Sequence, residues 1–318
     1  LRVAVILVSL RSLGDLLGCL PCLARGTHED FSVVVVENGG AEAAAGLEEA
    51  LLEARVVARG SEGLALVPGG QKLRILPAAD NLGYAGGVNA GLEAAGACDA
   101  YWVLNPDTFP EPEALAALLR RQAEGGYGMV GSRLVFARSG RVHCRGGLAW
   151  HPWLYRGRLL GFGEDGDAPA EEEAVEARLD VVSGASMLVT RDYVATVGGM
   201  DARLFLFGED VDWCLRRGAF RLGYAHGSVV RHVHGAATGA SAENKASRGR
   251  LAVCLAARNA VLVARRHSGT RFPVVAALRF LQGFEELLRH RSWRHFLWAQ
   301  QGFFAGLRGE GGRPGWLR

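Results

Sequence analysis

Three stretches of this 318-residue chain hold residue types that do chemistry. In "YWVLNPDTFPEPEAL" (101–115) an apolar run ends in Asn105-Pro106-Asp107. A single carboxylate in that place is a ligand type for Mg2+ or Mn2+, which take few protein ligands when a substrate phosphate completes the shell. Asn-Pro-Asp is also good turn chemistry by itself. In "LFGEDVDWCLRRG" (206–218) Glu209, Asp210 and Asp212 fall where a helix begins. Capping and the helix dipole favour acids there. Three acids within four residues, after an aromatic and apolar run, exceed what capping requires. One of them, crowded by acidic neighbours, would have a raised pKa and suit a general base. In "VVRHVHG" (229–235) His232 and His234 stand two apart, so a strand puts both on one face. Two such imidazoles either hold a metal or are incidental to a half-exposed strand.

"NLGYAGGVNAGL" (81–92) is a glycine-rich loop opening a helix. Gly83, Gly86 and Gly87 either let a phosphate approach the backbone at the helix N-terminus or serve plain helix packing. The spacing is neither Walker A nor the dinucleotide G-x-G-x-x-G. Trp150, Trp153 and Tyr155 offer aromatic faces to sugar rings, or pack under a long loop. The Gly-Glu-Asp letters recur at Glu164 and Asp165 without an apolar lead-in or a following helix, and read as an exposed acidic loop. Six cysteines at irregular spacing in a long chain argue for reduced thiols rather than a disulfide scaffold. Cys19 and Cys22, three apart in a helical stretch, read as core packing more than as a redox pair.

Such residues need a scaffold. "VAVILVSL" (3–10), "FSVVVVENGG" (31–40), "QKLRILPA" (71–78) and "YWVLN" (101–105) carry the apolar runs of buried strands. Helical patterns separate them, at about residues 12–25, in "AEAAAGLEEALLEA" and in "GGVNAGLEAAG". The alternation predicts a parallel α/β sheet with crossover helices. Ligands of such sheets bind beyond the carboxyl ends of the strands, where Glu37-Asn38 and Asn105-Pro106-Asp107 fall. Residues 140–178, rich in Gly, Trp and acid, have weak periodicity and predict a long irregular segment lining the surface. A strand and helix follow in "DVVSGASMLVTRDYVATVGG", a loop and helix in "GEDVDWCLRRGAFRL" and a strand in "SVVRHVHG"; the pattern is helical from about residue 248. A net charge of +3 is too mild to argue for nucleic acid. No apolar run reaches the ~18 residues of a membrane span, and no signal-peptide pattern is visible.

In order along residues 3–260 these stretches resemble the family 2 nucleotide-sugar glycosyltransferases of the A-type fold. The similarity rests jointly on the opening strand with "CLPCL", "VVVVENGG", "NLGYAGGVNAGL", "LNPDTFPEPEAL", "VVSGASMLVTRD", "VGGMDARLFLFGEDVDWCLR", "HVHGAATG" and "ARN" (257–259). The branch most like it includes rhamnosyltransferase-type enzymes that build bacterial surface glycans. The resemblance implies an α/β fold with a mostly parallel, Rossmann-like sheet and flanking helices. Residues 1–250 would be catalytic, 1–130 as the nucleotide-sugar half and 131–250 as the acceptor half, and 251–318 a C-terminal helical extension. It implies that Asp107 and His232 hold Mg2+ or Mn2+, with His234 as the alternative to His232. Asn105 stands first in an Asn-Pro-Asp that replaces the Asp-x-Asp of many relatives. Asp210 is implied as general base and Glu209 beside it as a shaper of the acceptor site, in a single displacement that inverts the anomeric carbon. Ser9, Glu37, Asn38, Asn81, Gly83, Asn89, Asn105, Asp107, Ser183 and Gly184 are implied to lie about a UDP-, dTDP- or GDP-sugar donor. Ser183-Gly184-Ala185 would wall the donor sugar. Relatives usually have Asp-Asn where Glu37-Asn38 stands, and often Ser where Ala237 stands.

The acceptor implied is a glycan or lipid-linked hydroxyl, selected by residues 140–178. From residue 251 apolar and basic residues interleave at helical spacing. Such a face lies on an anionic membrane, caps the catalytic domain or makes a homodimer contact. The expected location is cytoplasmic, peripheral at the inner face of the plasma membrane under the first of these three alternatives. Two readings compete. An inactive relative that binds sugar nucleotide or glycan as a partner subunit is motivated by Asn105, Glu37 and Ala237. A metal hydrolase on His232, His234 and Asp107 leaves the glycine-rich loop without a job.

Overall fold

A computed structural model describes residues 1–233 and 249–317. The chain opens with β1 (Val3–Ser9), α1 (Leu13–Ala24), β2 (Phe31–Glu37) and α2 (Ala41–Glu53). A hairpin of β3 (Val57–Gly60) and β4 (Gly63–Leu66) leads to β5 (Lys72–Pro77), α3 (Gly83–Ala95) and β6 (Ala100–Leu104). β1 pairs in parallel with β2 and β6, and β2 with β5, as the sequence alternation predicts. Period-two geometry explains why β1 has no polar interior position. Val3, Val5 and Leu7 join Leu16 and Leu20 of α1 on one face of the sheet. Ala4, Ile6 and Val8 join Ala85, Val88 and Leu92 of α3 on the other.

The chain continues through β7 (Thr108–Pro110), α4 (Ala114–Gly125), β8 (Met129–Phe136), β9 (Val142–Arg145), β10 (Gly147–His151) and β11 (Arg156–Leu159). Next come α5 (Glu172–Glu176), β12 (Val181–Val182), β13 (Ser186–Thr190), α6 (Arg191–Val197), α7 (Glu209–Leu215) and β14 (Leu222–His232). The large sheet runs β3-β4-β5-β2-β1-β6-β13-β8-β14-β7, with β9 on β8. Antiparallel β13 separates the parallel half of the sheet from the β8–β14 pair. A small sheet, β11-β10-β12, stands apart.

One expectation fails here. Residues 140–178 contain β9, β10, β11 and α5 rather than irregular backbone throughout. Val142-His143-Cys144-Arg145 alternates apolar and polar letters over only four residues, and all four are buried, so the letters do not separate a core face from a solvent face. Arg145 is satisfied by Glu164 and by the Ala168 carbonyl. Glu164 of the acidic loop is therefore a counter-ion, although it remains exposed.

The chain ends in α8 (Arg250–His267), α9 (Phe272–His290) and α10 (Trp293–Leu307), with single 3-10 turns between and after the helices. Gly302 and Gly306 let α10 lie against α8. A Cβ there would stand 2.1 Å from the Cys254 carbonyl and 2.7 Å from that of Arg258. Among the described residues, no helix is long and apolar enough to cross a membrane. All six cysteines are free thiols. Cys19 is buried in the core, and burial raises its thiol pKa well above the ordinary range, which fits packing and not redox chemistry.

Candidate active site

The carboxyl ends of β1, β2 and β6 form the floor of the site. Ser9 and Glu37 are register partners, and the Ser9 hydroxyl donates to Glu37 Oε2 at 2.6 Å. Glu37 Oε1 accepts from the Arg11 and Gly39 amides at 3.0 and 2.7 Å. A buried carboxylate thus gathers three donors and fixes the turns after both strands. Asn38 reaches across to the glycine-rich loop. Its Nδ2 donates to the Gly83 carbonyl at 3.1 Å and its Oδ1 accepts from the Leu82 amide at 3.2 Å. Asn81 Oδ1 accepts from the Gly83 amide at 2.9 Å. Asn89 spends both ends of its amide on Met200, at 2.8 Å each.

The glycines of that loop serve packing. Gly83 has φ +70°, and a Cβ there would lie 2.3 Å from the Phe205 carbonyl. A Cβ at Gly87 would meet Val8 of β1 at 2.6 Å. The first free amides of α3, at Tyr84 and Ala85, point at the Phe205 carbonyl at 2.6 and 3.3 Å. The helix N-terminus is therefore occupied by backbone, not open to a phosphate.

Asp107 reaches its place through strand register. β7 runs antiparallel to β14, with Thr108 opposite His232, and the Val233 amide donates to the Asp107 carbonyl at 3.0 Å. Thr108 Oγ1 closes the Asn-Pro-Asp turn onto the Asn105 carbonyl at 2.6 Å, and the Asn105 amide donates to Ala185 at 3.0 Å. The turn and ligand readings are compatible, because the turn aims the carboxylate. Asp107 Oδ1 lies 3.3 Å from His232 Nε2, and both residues are buried. Two ligands at about 2.1 Å from one octahedral ion, at right angles, stand about 3 Å apart. The carboxylate and imidazole therefore fit a single Mg2+ or Mn2+. Among the described residues no group of three or more His, Cys, Asp or Glu could hold a metal. His234 and Ala237 lie outside the described residues. What the structure places against His232 is His143 of β9, Nδ1 to Nδ1 at 3.4 Å.

The acids at the start of α7 follow a strained loop. Phe205 (φ 64°), Phe207 (φ 72°) and Gly208 (φ 85°) all adopt positive φ. For the two phenylalanines this costs about 1–3 kcal/mol each and needs support from outside the loop. Asn259 of α8 supplies it. Its buried Nδ2 lies 2.7, 2.8 and 2.6 Å from the carbonyls of Leu204, Leu206 and Phe207. Arg258, also buried, adds the Leu204 carbonyl at 3.1 Å. The loop delivers Asp210 to Gly184, whose amide donates to Oδ2 at 3.2 Å; Oδ1 accepts from the Val211 amide at 2.8 Å. Burial pushes the Asp210 carboxyl up, opposed by these two amides. Glu209 is buried, and its Oε2 has no hydrogen-bond partner. Burial and then the Asp210 charge push its carboxyl up.

Tyr84 joins the two ends of the site. Its hydroxyl donates to the Gly184 carbonyl at 2.5 Å. Burial, followed by the charges of Glu209, Asp210 and Asp107, keeps the phenol protonated.

Asp212 is different. It is 1% exposed and accepts from Arg216 Nε at 2.8 Å, Arg266 Nη1 at 2.9 Å and His267 Nε2 at 2.9 Å. Burial alone would raise its pKa, but hydrogen bonds from His267, Arg216 and Arg266 hold it at about 2. It anchors α7 to α8 and is not a base. The aromatic trio also divides. Tyr155 is buried edge-on against Trp150 at 5.6 Å, while Trp153 is exposed with the Arg271 guanidinium 5.2 Å above its ring.

Sequence reasoning missed Tyr84, His143 and the role of Asn259. Tyr84 lies inside the glycine-rich stretch, whose pattern is carried by the glycines. Asn259 stood in the "ARN" letters, with no local sign of what it holds. His143 carried no signal beyond a histidine in a buried strand.

The model of the family described as "Glycosyltransferase like family 2" matches residues 2–250. N-acetylglucosaminyl-diphospho-decaprenol L-rhamnosyltransferases of two Mycobacterium tuberculosis strains are 28% identical over 222 residues, 61% of this chain and 62% of theirs. The chain thus spans less than two thirds of the length of these relatives. Among solved structures, GalNAc-T7 with UDP, GalNAc and Mn2+ matches with a TM-score of 0.58 at 13% identity, over 83% of this chain and 48% of that one. The mannosyltransferase of Pyrobaculum calidifontis with GDP-Man and Mn2+ matches at 0.57 and 14%, over 97% and 88%. These likenesses show the fold: the A-type glycosyltransferase architecture, with a mixed, largely parallel sheet, flanking helices and C-terminal helices. With that architecture, and with the family match running along 2–250, the chain belongs to glycosyltransferase family 2.

Proposed function

We propose that this chain is a metal-dependent, inverting glycosyltransferase. It moves a sugar from a UDP-, dTDP- or GDP-sugar to a hydroxyl of a glycan or lipid-linked acceptor, in rhamnosyltransferase-like synthesis of bacterial cell-surface polysaccharide. The observation that carries the reading is the Asp107–His232 contact of 3.3 Å at the carboxyl edge of the sheet, the bite of one hard cation. Asp107 and His232 hold Mg2+ or Mn2+, which when bound offsets negative charge on the departing diphosphate. Asp210 takes the proton from the acceptor hydroxyl as its oxygen attacks the anomeric carbon. Glu209, beside it, shapes the acceptor site. Ser183 and Gly184 wall the donor sugar, and Asn105 closes the turn beneath the diphosphate. Ser9, Glu37, Asn38, Asn81 and Gly83 form the nucleotide side, while Asn89 acts through the Met200 backbone. Residues 1–250 are the catalytic unit, and α8 of the extension completes it through Arg258 and Asn259.

Calorimetry with UDP, dTDP and GDP, with and without Mn2+, tests this. Tight binding of one nucleotide only with metal supports the reading and names the donor class. Binding of none, with the protein folded, removes it and favours the inactive partner subunit.

The lipid-linked acceptor and a location at the inner membrane face draw support from α9 and α10. Leu281, Leu288, Trp293 and Leu297 are 57, 76, 65 and 60% exposed. Ring contacts from Phe304 through Phe280, Phe284 and Phe296 to Trp293 join both helices into one apolar surface. Exposed Arg289, Arg291 and Arg294 border it, which suits anionic lipid. Arg156–Glu285 and the Arg271–Trp153 stack tie this surface to the β10–β11 hairpin. Sedimentation with anionic vesicles should carry the protein down, and the double variant Leu288→Glu, Trp293→Glu should stay in solution. Equal partition of both proteins, or a wild-type dimer that the variant dissolves, overturns the membrane assignment.

A further inference from the structure

β9 meets β8 through a bulge. Val142 stands opposite Val135 and Cys144 opposite Leu134, so His143 has no partner position on β8. A bulge breaks the alternation of side chains and re-aims the extra one, often beside a functional site. Accordingly Val142, His143 and Cys144 are all buried, where an even strand would turn the middle one away. The His143 ring lies 4.9 Å from Phe136 and 5.3 Å from His232, centroid to centroid. Its Nδ1 comes within 3.4 Å of His232 Nδ1. The other ring nitrogen of His232, Nε2, is the atom 3.3 Å from Asp107.

Facing nitrogens of two neutral imidazoles cannot both carry a proton, nor both lack one, without loss of the bond. If His143 Nδ1 carries it, His232 is protonated on Nε2 and points that hydrogen at Asp107. If His232 Nδ1 carries it, its Nε2 lone pair is bare on the Asp107 side. Only the second arrangement lets His232 ligate a cation, because a metal-bound nitrogen cannot keep its proton.

We propose that His143 is the positioning residue of this site: it accepts the Nδ1 proton of His232 and so turns the Nε2 lone pair of His232 toward Asp107 for a divalent cation. This rests on the metal reading above. Protons balance within the pair. His232 exchanges an Nε2 hydrogen for an Nδ1 hydrogen, and His143 exchanges Nδ1 for Nε2. The second histidine thus stands where a metal-ligating imidazole requires an outer acceptor, and the bulge is the device that puts it there.

Two variants and one spectrum test it. His143→Phe keeps a ring against Phe136 and removes the acceptor. His143→Asn keeps an acceptor near the Nδ1 position. Mn2+ affinity, read from the spin resonance of free Mn2+ with the preferred nucleotide diphosphate present, should fall about 10–100-fold in His143→Phe. It should recover toward wild type in His143→Asn, because an acceptor for the His232 Nδ1 hydrogen is restored. Nitrogen-15 spectra of the wild type with Mg2+ and nucleotide should show His232 protonated on Nδ1. Equal Mn2+ affinity in folded wild type and His143→Phe, or His232 protonated on Nε2 in that spectrum, overturns the assignment. Should His143→Phe not fold, the wild-type spectrum decides alone. Wild type that binds no Mn2+ defeats the metal reading instead, an outcome seen without any variant.

Discussion

Replacing Asp212 by Asn keeps the side-chain shape at the base of α7 and removes one charge from among Arg216, Arg266 and His267. The carboxyl is 1% exposed, so solvent screens little of what is lost. Its pKa stands at about 2 against an ordinary 3.8. That difference corresponds to about 2.4 kcal/mol of folding stability at neutral pH. The folded-state value is depressed, so the contribution is complete above 3.8 and is lost as pH falls toward 2. About half, roughly 1.3 kcal/mol, remains at about pH 3. Urea unfolding of wild type and Asp212→Asn, repeated from neutral pH down to the acid limit of folding, measures the gap at each pH. It should be about 2–3 kcal/mol at neutral pH and narrow on acidification below about pH 4. Truncation to Ala should cost more than the Asn variant, because it leaves a void at a buried position as well as removing the charge. A gap that stays constant with pH would refute the reasoning, since the loss would then come from packing and not from the charge.

Asp210→Asn should bind donor normally and lose about 10²–10⁴-fold in turnover, measured by nucleotide-diphosphate release; near-normal turnover removes it as the base. Asp107→Ala should abolish metal-dependent nucleotide binding in calorimetry, and unchanged binding removes the ligand role. Glu209 has a raised folded-state pKa, so its contribution is complete at low pH and lost as pH rises through that value. Glu209→Gln should therefore unfold at a higher temperature than wild type at alkaline pH and not at acid pH, by calorimetric melts; the reverse order refutes the burial argument. Asn259→Ala removes two N–H donors from buried carbonyls and should cost about 2–4 kcal/mol. It should also lower turnover more than donor affinity, because the Phe205–Gly208 loop aims Asp210; intact turnover would show the strained loop to be self-supporting.

The sequence by itself determined the parallel strands of the first half of the fold, though not the β3–β4 hairpin between them. Val3–Ser9, Phe31–Glu37 and Ala100–Leu104 announce themselves as apolar runs between helical patterns, because burial on both faces leaves no polar position to confuse the reading. It also marked Asp107, Glu209, Asp210 and His232 as candidate site residues, since their types and spacing are local facts. Local letters could not say which acid at the start of α7 was free to act. Asp212 was as plausible a base as its neighbours until α8 brought Arg266 and His267 to it across 54 and 55 residues. Nor could they settle the glycine-rich loop, where the Phe205 carbonyl, over a hundred positions away, takes the amides a phosphate would need. The 140–178 segment hid its strands because its buried positions are polar and satisfied at a distance, as Arg145 is by Glu164. His143 is the extreme case: 89 residues separate it from His232, and a one-residue bulge that the letters do not mark brings the two rings together. Periodicity records which face of an element is buried. It does not record what the fold sets against that face, and the chemistry at this sheet edge depends on the second.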